Sequence, residues 1–300
     1  MKSIAIIGAN SFLAKKLISE LRFDYQLHLY ARNESEIALA GIKPVFREFY
    51  YPMKSIEFNE LLQFDTIIYT AAAGVQANKD GSAMSAFDIN FYIPLQITTH
   101  LNSKGYKGKI FTFGSYFEIG NNTSLIPYTE DSVISTLNAI PNNYCDSKRL
   151  LSRHYSNKQF ALNWYHLIIP SLYGPGENDS RLIPYVVNSL ITGAPLKTSS
   201  GEQVRQYLYV DDLVNLIRMM TEQVIKPDVY NVAGENQPIQ VKEMVALIYQ
   251  LLGKNFQQPE GITTRDQGML VLSLNDNKLK KAAPNWRSEI DLANGIKTYF

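Results

Sequence analysis

The sequence predicts an α/β protein: an open, doubly wound parallel sheet followed by a smaller C-terminal α+β domain. Three observations carry this. Through residue 170, short continuous apolar runs alternate with stretches of helical period, as in parallel strands joined by crossover helices. The first run, Ser3-Ile4-Ala5-Ile6-Ile7, stops at Gly8 and leads into a helix. The cluster Pro170-Ser171-Leu172-Tyr173-Gly174-Pro175-Gly176 then breaks the rhythm, and helices separated by loops follow it.

The chain has 300 residues, enough for one large domain or two closely joined ones. Apolar residues make up 45% and charged residues 19%, a globular balance, and the net charge of +1 gives no electrostatic footprint for nucleic acid or an acidic membrane surface. A single cysteine, Cys145, excludes an internal disulfide framework and a Cys-rich metal site, and suits a reducing cytoplasm. The apolar start 4–9 is too short for a secretion signal, and no run approaches the roughly 20 residues that span a bilayer. Asn121-Asn122-Thr123 fits a glycosylation sequon and is taken as a polar turn.

Taken in order, Gly8-Ala9-Asn10-Ser11-Phe12-Leu13-Ala14 opens the first helix, with Leu13, Leu17, Ile18 and Leu21 on one face. Strand, tight small-residue turn and helix place unpaired N–H groups and a positive dipole end where a pyrophosphate would sit, the arrangement of a Rossmann-type dinucleotide site. Read as a three-glycine fingerprint, the second and third glycines are Ser11 and Ala14, both small enough for close packing. A second strand over 26–30 leads to Ala31-Arg32-Asn33. An acid here would accept from the ribose hydroxyls of NAD(H); Arg32 instead pairs with a 2'-phosphate, which favours NADP(H), unless it is merely solvated. A third strand is expected over 45–49. Tyr50 and Tyr51 follow it, and no adenine contact is assigned.

A strand over 64–69 runs into Thr70-Ala71-Ala72-Ala73-Gly74, small residues beside which a dinucleotide ribose can lie against backbone. One helix is expected over 86–101, with Asn90 among apolar neighbours as a core amide or an anchor near the tyrosine described next. A strand over 109–113 ends at Gly114-Ser115, at the carboxyl edge of the sheet where open α/β folds bind ligands. Then comes Tyr144-Cys145-Asp146-Ser147-Lys148. On a helix Tyr144 and Lys148 share a face, so the ammonium stabilises phenolate and brings the phenol toward neutral pH as a proton shuttle for an alcohol or ketone. By itself the pair also arises by chance on surface helices. A strand over 162–169 precedes the Pro/Gly cluster, and helices are expected over 182–191 and 241–252. Arg205 and Arg265, on loop-like segments, suit a bidentate clamp on a diphosphate or surface salt bridges.

These motifs, with Leu172-Tyr173-Gly174-Pro175, Arg205 to Asp212 and Tyr230-Asn231-Val232-Ala233-Gly234, resemble the extended short-chain dehydrogenase/reductase family of nucleotide-sugar epimerases, dehydratases and 4-ketoreductases nearly end to end. The resemblance implies that Ser115 and Tyr144 touch the reacting sugar oxygen and that Lys148 holds the nicotinamide ribose. It implies a cofactor site of Gly8, Asn10, Ser11, Phe12, Leu13, Arg32, Ala71, Ala72, Ala73, Asn90, Tyr144, Lys148, Pro170 and Ser171. The substrate, a nucleotide-diphosphate sugar, would meet Ser115, Tyr116, Ser171, Arg205 and Arg265. Residues 1–170 with about 207–232 would bind the dinucleotide, and 171–206 with 233–300 the nucleotide sugar. No metal, nucleic acid or membrane is implied. A cytoplasmic homodimer paired through a four-helix interface is.

Departures from the family narrow the reaction. Family 4,6-dehydratases carry an acidic pair directly after the position of Ser115, where this chain has Tyr116 and Phe117. The Cys and His of 3,5-epimerising relatives are not evident. Hydride transfer at one carbon remains, and Arg32 favours an NADPH-dependent reduction of a nucleotide-linked 4-keto-6-deoxyhexose, in deoxysugar biosynthesis for surface polysaccharide. The alternatives are an NAD-dependent 4-epimerase and, in another class, a non-catalytic NADP-binding regulatory module.

Overall fold

A computed structural model describes residues 1–34, 44–74, 83–157, 160–257 and 268–300. In chain order the first elements are β1 (Ser3–Ile7), α1 (Phe12–Leu21), β2 (Gln26–Ala31), β3 (Val45–Glu48), β4 (Thr66–Tyr69), α2 (Ala83–Phe87), a π-helical turn (Asp88–Tyr92), α3 (Ile93–Ser103) and β5 (Lys109–Ser115). Next come α4 (Glu130–Ser135), α5 (Asn143–Asn157), β6 (Asn163–Ile169), β7 (Ser171–Tyr173), α6 (Leu182–Thr192), β8 (Val204–Arg205), β9 (Tyr207–Tyr209) and α7 (Val210–Glu222). The chain closes with β10 (Val229–Asn231), β11 (Ile239–Gln240), α8 (Val241–Leu251), α9 (Asn277–Ala282) and α10 (Leu292–Lys297).

Two compact units result: 1–118 with 142–168 and 214–230, and 119–141 with 169–213 and 231–300. Segment 119–141, expected with the nucleotide-binding half, groups with the second unit. So does 207–213.

The main sheet has seven strands in the order β10-β6-β5-β4-β1-β2-β3. β1 pairs in parallel with β2 and β4, β2 with β3, and β4 with β5. Ile4, Ala5, Ile6 and Ile7 are all fully buried although successive side chains point to opposite faces, so both faces of β1 are covered. On one face Ala5, Ile7, Ile67, Tyr69 and Ile110 pack with Ile93, Ile97 and Leu101 of α3. As the spacing predicts, Leu13, Leu17, Ile18 and Leu21 form the buried stripe of α1. The order places β1 and β4 side by side with their carboxyl ends together, the position at which a doubly wound sheet changes direction and opens a crevice.

The helix expected over 86–101 is interrupted. Pro94 has no N–H to continue the ladder, and the chain passes through the π-helical turn before α3 begins at Ile93. In the second unit β7 pairs in parallel with β9, and β8 pairs antiparallel with β11. The core there joins Tyr173, Tyr207 and Tyr209 to Ile183, Val187 and Leu190 of α6 and Met244, Val245 and Ile248 of α8. Arg205 is a correction: it lies on a strand, 5% exposed, rather than on a loop. Arg265 lies outside the described residues.

Candidate active site

Gly8 sets the first turn. Its φ is +90°, and a Cβ there would stand 2.4 Å from the Ala71 amide nitrogen and 2.5 Å from its Cα, so only glycine allows this approach. The amides of Gly8 and Ala9 both bond the Tyr30 carbonyl, and Thr70 Oγ1 donates to the Ile7 carbonyl at 2.9 Å, tying the ends of β1, β2 and β4 together. Ser11, in the place of the second glycine, is the N-cap of α1: its Oγ accepts from Ala14 N at 3.2 Å. Phe12 is half-buried beside it. Leu13 points into the core at 7% exposure, so only its backbone faces the turn. Asn10 Nδ2 donates to the Asn33 carbonyl at 3.2 Å. Arg32 is exposed just past β2, its guanidinium 5.9 Å from the Tyr50 ring centre.

Asn90 links this turn to the helix of Tyr144. Its Oδ1 accepts from Ala73 N at 2.9 Å, and its Nδ2 donates to the Ala73 carbonyl and to Ser147 Oγ, each at 2.9 Å. Ser147 Oγ in turn donates to the Tyr144 carbonyl at 3.0 Å. The amide therefore positions the Ala71–Ala73 strand end and α5, with both of its donor hydrogens engaged by protein. Gly74 takes φ +79°, a conformation that favours glycine, and a Cβ there would only touch Tyr144 Cβ, 3.5 Å away.

Asn142 Oδ1 accepts from Cys145 N at 3.0 Å and starts α5. Along α5, Tyr144, Lys148 and Ser152 recur every four residues and so share a face. Lys148 is buried and donates from Nζ to the Phe113 carbonyl at 2.8 Å. Burial pulls its ammonium down to about 8, with the Glu118 carboxylate opposing that loss. Ser115 ends β5, and its Oγ accepts from Phe117 N at 3.3 Å, which leaves its hydrogen to donate. Phe117 meets the Tyr144 ring edge-on with centres 6.5 Å apart. Ser115, Tyr144 and Lys148 are thus gathered around Phe117 and the end of β5.

Tyr116, expected at the substrate, is fully buried with its ring edge-on to Phe117, and the half-buried aromatic beside Tyr144 is Phe117. Sequence reasoning also missed Glu118, a buried carboxylate that accepts from Ser115 N at 2.7 Å. Nothing in its spacing marks it, because it stands alone in a 3-10 turn.

In the second unit Pro170 is buried and Ser171 N donates to the Gln206 carbonyl at 3.1 Å. Arg205 Nη1 donates to the Val204 carbonyl at 2.9 Å. Among the described residues no group of three or more His, Cys, Asp or Glu side chains converges as a metal site, and no helix is long and apolar enough to cross a membrane.

A parallel sheet whose first turn admits only glycine, opposite a buried lysine and a tyrosine on one helix face, defines a nicotinamide-dinucleotide enzyme of the short-chain type. The chain belongs to the NAD dependent epimerase/dehydratase family, whose model matches residues 4–233. With the family comes the class of activity, an NAD(P)-dependent enzyme of nucleotide-sugar modification. The chain is 24% identical over 279 residues to CDP-abequose synthase of Yersinia pseudotuberculosis, covering 89% of this chain and 90% of that one. The CDP-abequose synthase of Salmonella typhimurium matches at 24% over 151 residues, 48% of this chain and 50% of the relative, so that match spans half the relative's length. In fold, the chain resembles UDP-glucose 4-epimerase of Thermotoga maritima, solved with UDP-glucose, at TM-score 0.82 and 18% identity over 99% of this chain and 97% of the other. It resembles dTDP-glucose 4,6-dehydratase of Bacillus anthracis, solved with NAD, at TM-score 0.80 and 19% identity, covering 100% and 95%.

The residues fit a dinucleotide. The Gly8 turn is a cradle that a single Cβ would fill, the capped N-terminus of α1 opens beside it, and the exposed edge at Ala72 and Gly74 carries no bulk.

Proposed function

We propose that the protein is an NADPH-dependent reductase of a nucleotide-linked 4-keto-6-deoxyhexose, acting in deoxysugar biosynthesis for a surface polysaccharide. The observation that carries this reading is the pairing of Ser115, Tyr144 and Lys148 with Tyr116 and Phe117 where dehydratases have acids. Proton donors for a carbonyl oxygen are present, and the two positions directly after Ser115 carry aromatic rings rather than carboxylates. The similarity to CDP-abequose synthase along nearly the whole chain supports a deoxysugar product. Arg32, exposed past β2, supports a 2'-phosphate on the cofactor.

When bound, the nicotinamide supplies the reducing equivalent for the sugar carbon. Gly8, Asn10, Ser11, Phe12 and the backbone of Leu13 would hold its pyrophosphate, Ala71 to Ala73 its ribose side, and Lys148 the nicotinamide ribose. Pro170 and Ser171 are assigned to the nicotinamide end, and Arg205 and Arg265 to the substrate diphosphate. Ser115 donates its free hydrogen to the carbonyl oxygen, and Tyr144 delivers the proton as negative charge develops there. The Lys148 ammonium favours the phenolate that Tyr144 leaves behind.

A spectrophotometric screen of NADPH and NADH oxidation against 4-keto-6-deoxyhexoses linked to CDP, GDP, dTDP and UDP tests this. Net oxidation of NADPH with one of them is expected. Tightly held NAD with interconversion of 4-epimers and no net oxidation would instead establish the 4-epimerase.

A further inference from the structure

Behind Ser115 runs a line of buried polar side chains that the catalytic groups do not include. Trp164 Nε1 lies 2.7 Å from Thr112 Oγ1, Thr112 Oγ1 lies 2.8 Å from His166 Nδ1, and His166 Nε2 lies 2.8 Å from Ser152 Oγ. Ser152 Oγ then lies 2.5 Å from Glu118 Oε2, and Glu118 Oε1 takes the Ser115 amide. Thr112, Glu118, Ser152, Trp164 and His166 are each 1% exposed or less. Gly114 makes room for the line: a Cβ there would stand 2.6 Å from Glu118 Oε1 and 2.9 Å from His166 Nε2.

Two proton arrangements keep the Ser152 and His166 hydrogens within this line. The indole can only donate. With Glu118 ionised, Ser152 donates to the carboxylate, so His166 Nε2 carries the hydrogen and Nδ1 accepts from Thr112. With Glu118 protonated, the carboxyl donates to Ser152, Ser152 donates to Nε2, and the hydrogen moves to Nδ1. The first arrangement satisfies every member; the second leaves the Thr112 hydrogen without an acceptor in the line. Keeping Nε2–H beside a protonated Glu118 instead turns the Ser152 hydrogen to the Lys148 carbonyl at 3.4 Å, a longer contact than any within the line.

We propose that Glu118 is the positioning residue of this site: its ionised carboxylate fixes the Ser115 backbone and holds the charge of Lys148, and its charge state is recorded in the tautomer of His166. The inference rests on the reductase reading for its catalytic consequence, but its tautomer arm does not. Glu118 faces Lys148 and Arg149 from α5 and His166 from β6, and burial outweighs those cations to push the carboxyl up to about 7. His166 stays neutral, since burial and the nearby Lys148 pull it down to about 3. The imidazole therefore switches tautomer rather than charge.

The test uses the full chain, whose histidines number four, and two-bond proton–nitrogen correlation of the ring nitrogens. In the wild type His166 is expected as Nε2–H above the Glu118 transition and as Nδ1–H below it. Glu118→Gln, whose amide donates to Ser152, is expected to hold Nδ1–H at every pH. Its kcat should fall roughly tenfold to a hundredfold with KM nearly unchanged, and the alkaline limb of its pH profile should move to lower pH. Ser152→Ala cuts the line while leaving both ends, and is expected to make the His166 tautomer independent of pH. A pH-independent wild-type tautomer, an Nε2–H imidazole in the Gln variant, or wild-type kcat and pH profile in that variant would each overturn the proposal. A tautomer switch in a wild type that reduces no keto sugar would uphold the Glu118 linkage and remove the reductase reading.

Discussion

Asn90 Nδ2 stands 2.9 Å from Ser147 Oγ, so one buried side chain fastens the end of β4 to the helix that presents Tyr144 and Lys148. Asn90→Ala strands the Ala73 amide and carbonyl without their partner. A fully buried polar group left unpaired costs about 1–3 kcal/mol; Ala73 is half-buried, so water offsets part of this and the low end applies. The variant is expected to lose about that much stability in denaturant unfolding and to bind the dinucleotide more weakly by calorimetry. Wild-type values of both would show that Asn90 is not the fastener.

Gly8→Ala places a methyl within 2.5 Å of Ala71 backbone atoms, at a φ that alanine rarely adopts. The turn must open, and the α1 N-terminus moves with it. Dinucleotide affinity, read by fluorescence quenching, is expected to fall by roughly tenfold or more, the equivalent of about 1.4 kcal/mol. Unchanged affinity would place the cofactor away from this turn.

Much of this was legible in the sequence, and for physical reasons. Strands buried on both faces leave continuous apolar runs, so β1, β2, β4, β5 and β6 stand near their expected places. Ser115 at a strand end and Tyr144 with Lys148 on one helix face followed from periodicity. The short strands β7 to β11, of two or three residues, carry no period. The Arg205 segment therefore carries no strand signal in the sequence. Tyr116 and Phe117 are alike as residue types, and only the turn after β5 decides which of them faces Tyr144. Glu118 is the clearest loss, because a lone glutamate looks solvated until Ser115, Ser152 and Lys148 are seen around it.

Lys148 gives the pH dependence a sign. Burial lowers its folded value to about 8, so the ammonium that supports Tyr144 is present below that pH and lost as pH rises through it. Turnover is expected to decline above about 8 in a pH-rate profile. Lys148→Arg retains its charge throughout this range. Its residual activity should lack the decline; a matching decline would assign the limb to another group.

Glu118 acts on stability in the opposite sense to an ordinary surface acid. Its folded value is raised from 4.5 to about 7, so its contribution is fully present below the unfolded value and is lost as pH climbs through the folded one. Relative to Glu118→Gln, wild-type stability in urea titrations is expected to fall between pH 4.5 and about 7. A flat difference across that window would mean that Glu118 is ionised as freely in the folded chain as in the unfolded one.

The most direct test of the catalytic assignment is the rate of NADPH oxidation by wild type and Tyr144→Phe, side by side, with the nucleotide-linked 4-keto-6-deoxyhexose that the screen selects. The wild type is expected to oxidise the cofactor in step with ketone reduction, and the variant to be slower by about a hundredfold or more at saturating dinucleotide. Equal rates would contradict the assignment of the proton to Tyr144 and, with it, the mechanism built on Ser115, Tyr144 and Lys148.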